Sequence, residues 1–239
     1  IRGATRELIS NLPNADTLDA DSLTSFDANG FFLGDDGNVN PSSSEFVAWC
    51  WKGGGDAVAG TGTGVTNVSV SANTDAGFSI VKYTGGNGVS DTVNHGLANA
   101  EMIILKDLTD GTNNWRAWHK DLTSGYWLYL NLTNAQASAA SDGGIRNVDA
   151  NTFGFINGTV AGVEGVNSNA SDYIAYVWKS ISGYSKIGTY SGSGSSGKVV
   201  TVGFKPSLVV IKRVNTGGAG SDHWLAFTSN VLDASGNIS

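Results

Sequence analysis

The residues best suited to chemistry are aromatic. Trp115, Trp118, Tyr126, Trp127 and Tyr129 crowd into one short stretch. Flat indole faces fit the apolar faces of pyranose rings, so Trp115, Trp118 and Trp127 are the candidate glycan-stacking residues. The same side chains are also the usual fillers of β-sandwich cores. Glycan binding requires at least two of the three to lie exposed on one face.

Other constellations carry less. His95, His119 and His223 have no partner at metal-ligand spacing, and the single Cys50 supports neither a zinc site nor an intrachain disulfide. Asp222 adjoins His223, but no Gly-x-Ser-x-Gly elbow accompanies them. Glu45, Glu101 and Glu164 are the scattered carboxylates from which a glycoside-cleaving pair would have to come. Gly60-Thr61-Gly62-Thr63-Gly64 lacks the Lys of a phosphate loop and reads as a flexible connection. Gly34-Asp35-Asp36-Gly37-Asn38 and Asp233-Ala234-Ser235-Gly236-Asn237 resemble calcium loops, but both lack the full ligand spacing and read as Asx turns. No catalytic residue, metal or cofactor is expected.

Composition indicates what must position these side chains. The chain has 239 residues, of which 15% are charged and 33 are Gly. Asn, Ser, Thr and Gly fill the polar positions, and helix-forming Glu, Lys, Met and Gln are few, so strands joined by tight turns are expected. A net charge of −7 without a run of Lys or Arg argues against nucleic acid. No apolar run reaches the roughly 20 residues of a membrane helix, so membrane insertion is not expected.

Self-similarity organises the chain. Phe46-Val47-Ala48-Trp49-Cys50-Trp51-Lys52 returns as Tyr173-Ile174-Ala175-Tyr176-Val177-Trp178-Lys179, and Asn11-Leu12 returns as Asn131-Leu132. Between them, Asp27 to Phe31 matches Asp149 to Phe153, and Val39-Asn40 matches Val166-Asn167. A second block repeats separately. Ile80 to Gly85 matches Ile187 to Gly192, Met102 to Lys106 matches Leu208 to Lys212, and Trp115 to Trp118 matches Trp224 to Phe227. The expected organisation is a back half (1–53), a Gly/Thr/Ser-rich connection (54–76), a complete unit (77–180) and a front half (184–239).

Strands are expected near 78–83, 102–106, 115–119, 126–130, 152–156 and 173–178, with Gly/Asn turns between them. That pattern predicts an all-β protein of antiparallel β-sandwich repeats, jelly-roll or concanavalin-like. Residues 46–51 are apolar on both alternating faces and should form a central strand, with Cys50 as a small core residue. A half-sandwich would expose sheet edges, so 1–53 and 184–239 are expected either to complete each other, within the chain or between neighbours, or to be completed by further chain beyond this sequence.

The run Arg2-Gly3-Ala4-Thr5-Arg6-Glu7-Leu8-Ile9-Ser10-Asn11, continuing through Ser22 to Asp27 and on to Val47 to Lys52, resembles a repeated β-domain of marine and cyanobacterial bacteriophage virion proteins. His95-Gly96-Leu97 and the Met102 and Leu208 strands resemble its front-half motif. The resemblance implies a fragment of a longer repeat protein that acts in an extracellular virion as a tail fibre, adhesin or surface appendage. Expected partners are copies of itself, other virion proteins and a host surface glycan, in a homo-oligomer. A lectin-like module and a jelly-roll carbohydrate-active enzyme are the alternatives.

Overall fold

Alternation of large apolar and small or polar residues builds the centre of the molecule. In β8 (Phe78–Thr84), Val81 and Tyr83 point to one side and Ile80 and Lys82 to the other. In β16 (Asp172–Trp178) the inward set is Tyr173, Ala175 and Val177. In β10 (Met102–Asp107) it is Ile103 and Leu105. The computed structural model describes residues 1–138, 143–156, 165–215 and 222–229, and among these there is no helix.

Before β8 the chain forms β1 (Arg6–Glu7), β2 (Thr17–Leu18), β3 (Leu23–Asp27), β4 (Gly30–Leu33), β5 (Val58–Ala59), β6 (Gly62–Thr63) and β7 (Thr66–Asn73). Then follow β9 (Thr92–Asn94), β11 (Arg116–His119), β12 (Tyr126–Tyr129), β13 (Ala137–Ser138), β14 (Gly144–Arg146) and β15 (Thr152–Ile156). After β16 come β17 (Leu208–Ile211) and β18 (Leu225–Thr228). An eight-stranded sheet runs β13-β12-β11-β10-β16-β8-β7-β5 and a four-stranded sheet runs β14-β15-β9-β6. All the pairings are antiparallel.

The protein is therefore an all-β antiparallel sandwich. Its core joins Val81, Tyr83, Leu105, Tyr173 and Ala175 of the large sheet to Val93, Ile145, Phe153 and Phe155 of the small one. Tyr83 stacks on Tyr173 at 5.1 Å and meets Phe155 at 5.6 Å and Phe153 at 6.0 Å. Apolar burial of this kind contributes about 25 cal/mol per Å² and dominates folding.

The small sheet lies close to Trp127. A Cβ at Gly144 would meet Trp127 Cε3 at 2.5 Å. Gly144→Ala is therefore expected to cost about 1–3 kcal/mol through overpacking, seen as a lower midpoint in chemical denaturation with an unchanged slope.

The six strands expected between 78 and 178 are present. Three other expectations are corrected. Stretch 54–76 is not a loose connection, because it supplies β5, β6 and β7 of the sandwich. Its glycines serve close approach: a Cβ at Gly62 would meet the Thr92 carbonyl at 2.7 Å, and Gly64 has φ +73°.

Residues 46–51 are not a strand. Val47 is 80% and Trp49 51% exposed, and Cys50 is an exposed free thiol. The later copy, β16, is held by β8 and β10 on either side, and 46–51 has no such neighbours.

Completion of 1–53 by 184–239 within the chain is not observed either. Among the described residues these segments form separate hairpins, β1-β2, β3-β4 and β17-β18, with no strand pairing between them.

Candidate functional site

The three candidate tryptophans do not form a platform. Trp115 and Trp118 lie three residues apart around β11, so alternation sends them to opposite faces of the large sheet. Trp115 is 4% exposed and stacks on Tyr176 at 6.5 Å on the outer face. Trp118 packs against the core, and Trp127 is fully buried with the Arg116 guanidinium 5.5 Å above its ring. Glycan stacking on Trp115, Trp118 and Trp127 is thereby corrected. Sandwich packing has taken their faces.

The carboxylates are committed elsewhere. Glu101 accepts hydrogen bonds from the backbone N–H and hydroxyl of Ser180, and it pairs with Lys120 at 3.5 Å. Burial opposes its charge, but Ser180 and Lys120 outweigh this and hold its carboxyl below the usual range. Glu45 lies in the exposed segment before Phe46, and Glu164 and the Asp233 loop lie outside the described residues.

A pocket lined by Arg2, Asp16, Lys82 and Asp172 has its charged groups tied up in ion pairs. Asp16 binds Arg2 and Arg6 at 2.7 and 2.8 Å, and Lys82 binds Asp172 at 2.9 Å. The fold also brings together Glu7, Asp19 and Asp36, with carboxylate oxygens within 4.8 Å of one another. Asp19 and Asp36 already cap local turns, accepting from the N–H groups of Ser22 and Asn38.

His95 is a structural staple. Its Nδ1 accepts the Leu97 N–H at 3.2 Å, which leaves the Nε2–H to donate to the Asp149 carbonyl at 3.3 Å. The Nδ1 acceptor bond requires the neutral ring, and burial lowers its pKa despite the nearby Asp149 groups. Burial likewise lowers His119.

The sign is definite. Below about pH 6.5 the unfolded chain binds protons that the folded one refuses, so stability falls as pH drops towards the lowered values. Denaturation midpoints between pH 7.5 and 5 should show this slope. His95→Gln should remove part of it and His119→Gln the remainder.

A contact made twice was not visible from residue types. The Trp115 indole donates to the Ile9 carbonyl at 3.1 Å, and the Trp224 indole donates to the Tyr129 carbonyl at 2.9 Å. Nearby, Asp16 N–H donates to Leu108 O and Gln136 N–H donates to Val214 O, each at 3.0 Å. Ile9 to Tyr129 and Asp16 to Gln136 are both steps of 120 residues, the step from Asn11 to Asn131. Lys106 and Lys212 also match, each ammonium donating to backbone carbonyls, with burial lowering both pKa values.

The hairpins carrying these residues share one register. Ile103 faces Trp118 and Leu105 faces Arg116, as Val209 faces Phe227 and Ile211 faces Leu225. The surface that recurs in this molecule is one that binds its own chain.

The model of a family described as a domain of unknown function (DUF7483) matches residues 1–234. The chain belongs to that family. The DUF7483 match runs through the sandwich and through both flanking segments without a break. No curated protein and no solved structure matches the chain.

Proposed function

We propose that this DUF7483 chain is a structural component of a bacteriophage virion, in a tail fibre, adhesin or other extracellular surface appendage. It acts by contact with copies of itself and with other virion proteins. The supporting observation is the twice-made contact of Trp115 with Ile9 and Trp224 with Tyr129, carried by hairpins of identical register. A contact reused between corresponding residues of successive repeats is how tandem units stack into an extended body, each unit touching only its neighbours. The resemblance of the Arg2 to Asn11 run to virion domains supports the same reading, and a jelly-roll or concanavalin-like strand order is part of the proposal.

Glycan stacking and glycoside cleavage have no comparable support, since the tryptophans are packed away and Glu101 is hydrogen-bonded. The reading is tested by gold-labelled antibody against this chain on purified phage particles. Label on an external appendage is expected. Finding the chain only in the particle-free fraction would overturn it.

A further inference from the structure

We infer that the joint between successive units recognises its neighbour by two backbone groups at a fixed spacing, so that it takes any unit of this repeat type whatever side chains the contacting segment carries. This specificity rests on the reading of the twice-made contact as a joint between tandem units.

The contacting segments are 9–16 and 129–136, and each offers the same two groups. Ile9 O and Tyr129 O accept the indole N–H of Trp115 and Trp224, and the N–H groups of Asp16 and Gln136 donate to Leu108 O and Val214 O. Acceptor and donor are seven residues apart in both segments. The residue types at these places differ, Ile against Tyr and Asp against Gln, while the backbone groups keep their roles. The receiving loops are less alike. Trp115 follows Leu108 by seven residues, but Trp224 follows Val214 by ten. The loop has changed length, and the spacing it grips has not.

Side chains of the two segments turn to their own unit. The Asp16 carboxylate binds Arg2 and Arg6. Gln136 Oε1 accepts the Thr123 N–H, and its Nε2 donates to the Thr123 hydroxyl. Asn131 Oδ1 accepts the Trp115 N–H, and its Nδ2 donates to Asn114. Ser10, Asn11, Leu12 and Asn14 are exposed. Across the joint the contacts are to main chain, and Lys212 adds one more by donating to the Thr133 carbonyl. At the first joint the loop also passes close to the segment's backbone, since a Cβ at Gly111 would lie 3.3 Å from the Ala15 nitrogen.

Main-chain hydrogen bonds hold a segment without reading its sequence, because every residue but Pro carries the same donor and acceptor. What they do read is distance along the chain. The receiving side is built in advance, with Trp115 stacked on Tyr176 of its own unit and the β10-β11 and β17-β18 hairpins in one register.

The test rewrites the side chains and the spacing separately, in the full chain. One variant carries Ile9→Tyr, Asn11→Ser, Leu12→Ser, Pro13→Thr and Asn14→Ser, and it keeps Ala15 and Asp16 so that the Gly111 approach and the Arg2 and Arg6 ion pairs remain. Hydrogen exchange at the Trp115 indole N–H and the Asp16 amide, followed by NMR, should stay within about twofold of the native rates. A second variant keeps the native side chains but lacks Asn14, which shortens the spacing by one residue. At least one of the two groups should then exchange about fivefold faster or more, as for the loss of one hydrogen bond.

Faster exchange in the rewritten segment, with the amides of 173–178 still slow, would overturn the inference, because side chains would then be what the joint reads. Native rates in the shortened variant would overturn it as well. Leu130→Ser with Thr133→Ala repeats the test at the second joint, where an unchanged Trp224 indole is expected and a faster one counts equally against it. Particle labelling reports where the chain resides and hydrogen exchange reports how its units join, so either can fail without the other.

Discussion

Tyr83→Ala lowers the stability of the sandwich by about 3–5 kcal/mol, the range for removing a buried aromatic ring. Tyr83 is fully buried between the sheets, and its ring touches Tyr173, Phe153 and Phe155. Losing it opens a cavity where both layers converge and leaves the Val166 carbonyl without the phenol that bonds it. At roughly 2–4 °C per kcal/mol for a domain of this size, the thermal midpoint should fall by about 6–20 °C.

Tyr83→Phe separates the two causes. It keeps the ring and orphans only the carbonyl, which costs about 1–3 kcal/mol. Equal losses in the two variants would mean that the aromatic cluster contributes nothing beyond one hydrogen bond.

The second large effect is at Asn167, which ties the Gly85–Gly88 turn to the sandwich. Its Oδ1 accepts the Gly86 N–H at 3.1 Å, and its Nδ2 donates to Gly88 O at 3.1 Å and to Asp91 Oδ2 at 2.9 Å. The same Asp91 oxygen accepts the Gly88 N–H at 2.8 Å, and both side chains are buried. Asn167→Leu removes one of the two donors to the buried Asp91 carboxylate and leaves the Gly86 N–H without its acceptor, at about 1–3 kcal/mol for each group left short of a partner.

Asn167→Asp should do something more specific. Two carboxylates at this separation share a proton, so the folded pair titrates above the unfolded value of about 4. The folded state then holds more protons than the unfolded one, and stability falls as pH rises from about 4 through the raised value. That slope is opposite to the histidine slope of the native chain. A variant with the native pH profile would show that the two groups do not interact.

How much of this could be read from sequence depended on whether a residue's neighbours were close along the chain. β8, β10, β12 and β16 announce themselves as short runs of apolar, aromatic and β-branched residues bounded by Gly, Asn and Asp turns. Stretch 54–76 misled because its glycines suggested a loose connection. The alternation of Val68 and Val70 with Ser69 and Ser71 was the strand signal underneath them. The separation of Trp115 from Trp118 across the sheet was also legible, since residues three apart on a strand face opposite ways. Clustering in sequence outweighed it.

Asp91 and Asn167 gave no signal. They meet only because β9 and the chain entering β16 are folded together. Residues 46–51 are the instructive case. Their pattern states what they need, two flanking strands and a cover on each face, but a pattern does not supply the neighbours. Phe46, Val47 and Trp49 therefore stand exposed where Tyr173 and Ile174 are buried.

Amide hydrogen exchange across the chain tests this most directly. The amides of 173–178, held between β8 and β10, should be among the slowest, while those of 46–51 exchange as freely as an exposed loop. Equal protection of 46–51 and 173–178 would contradict the account.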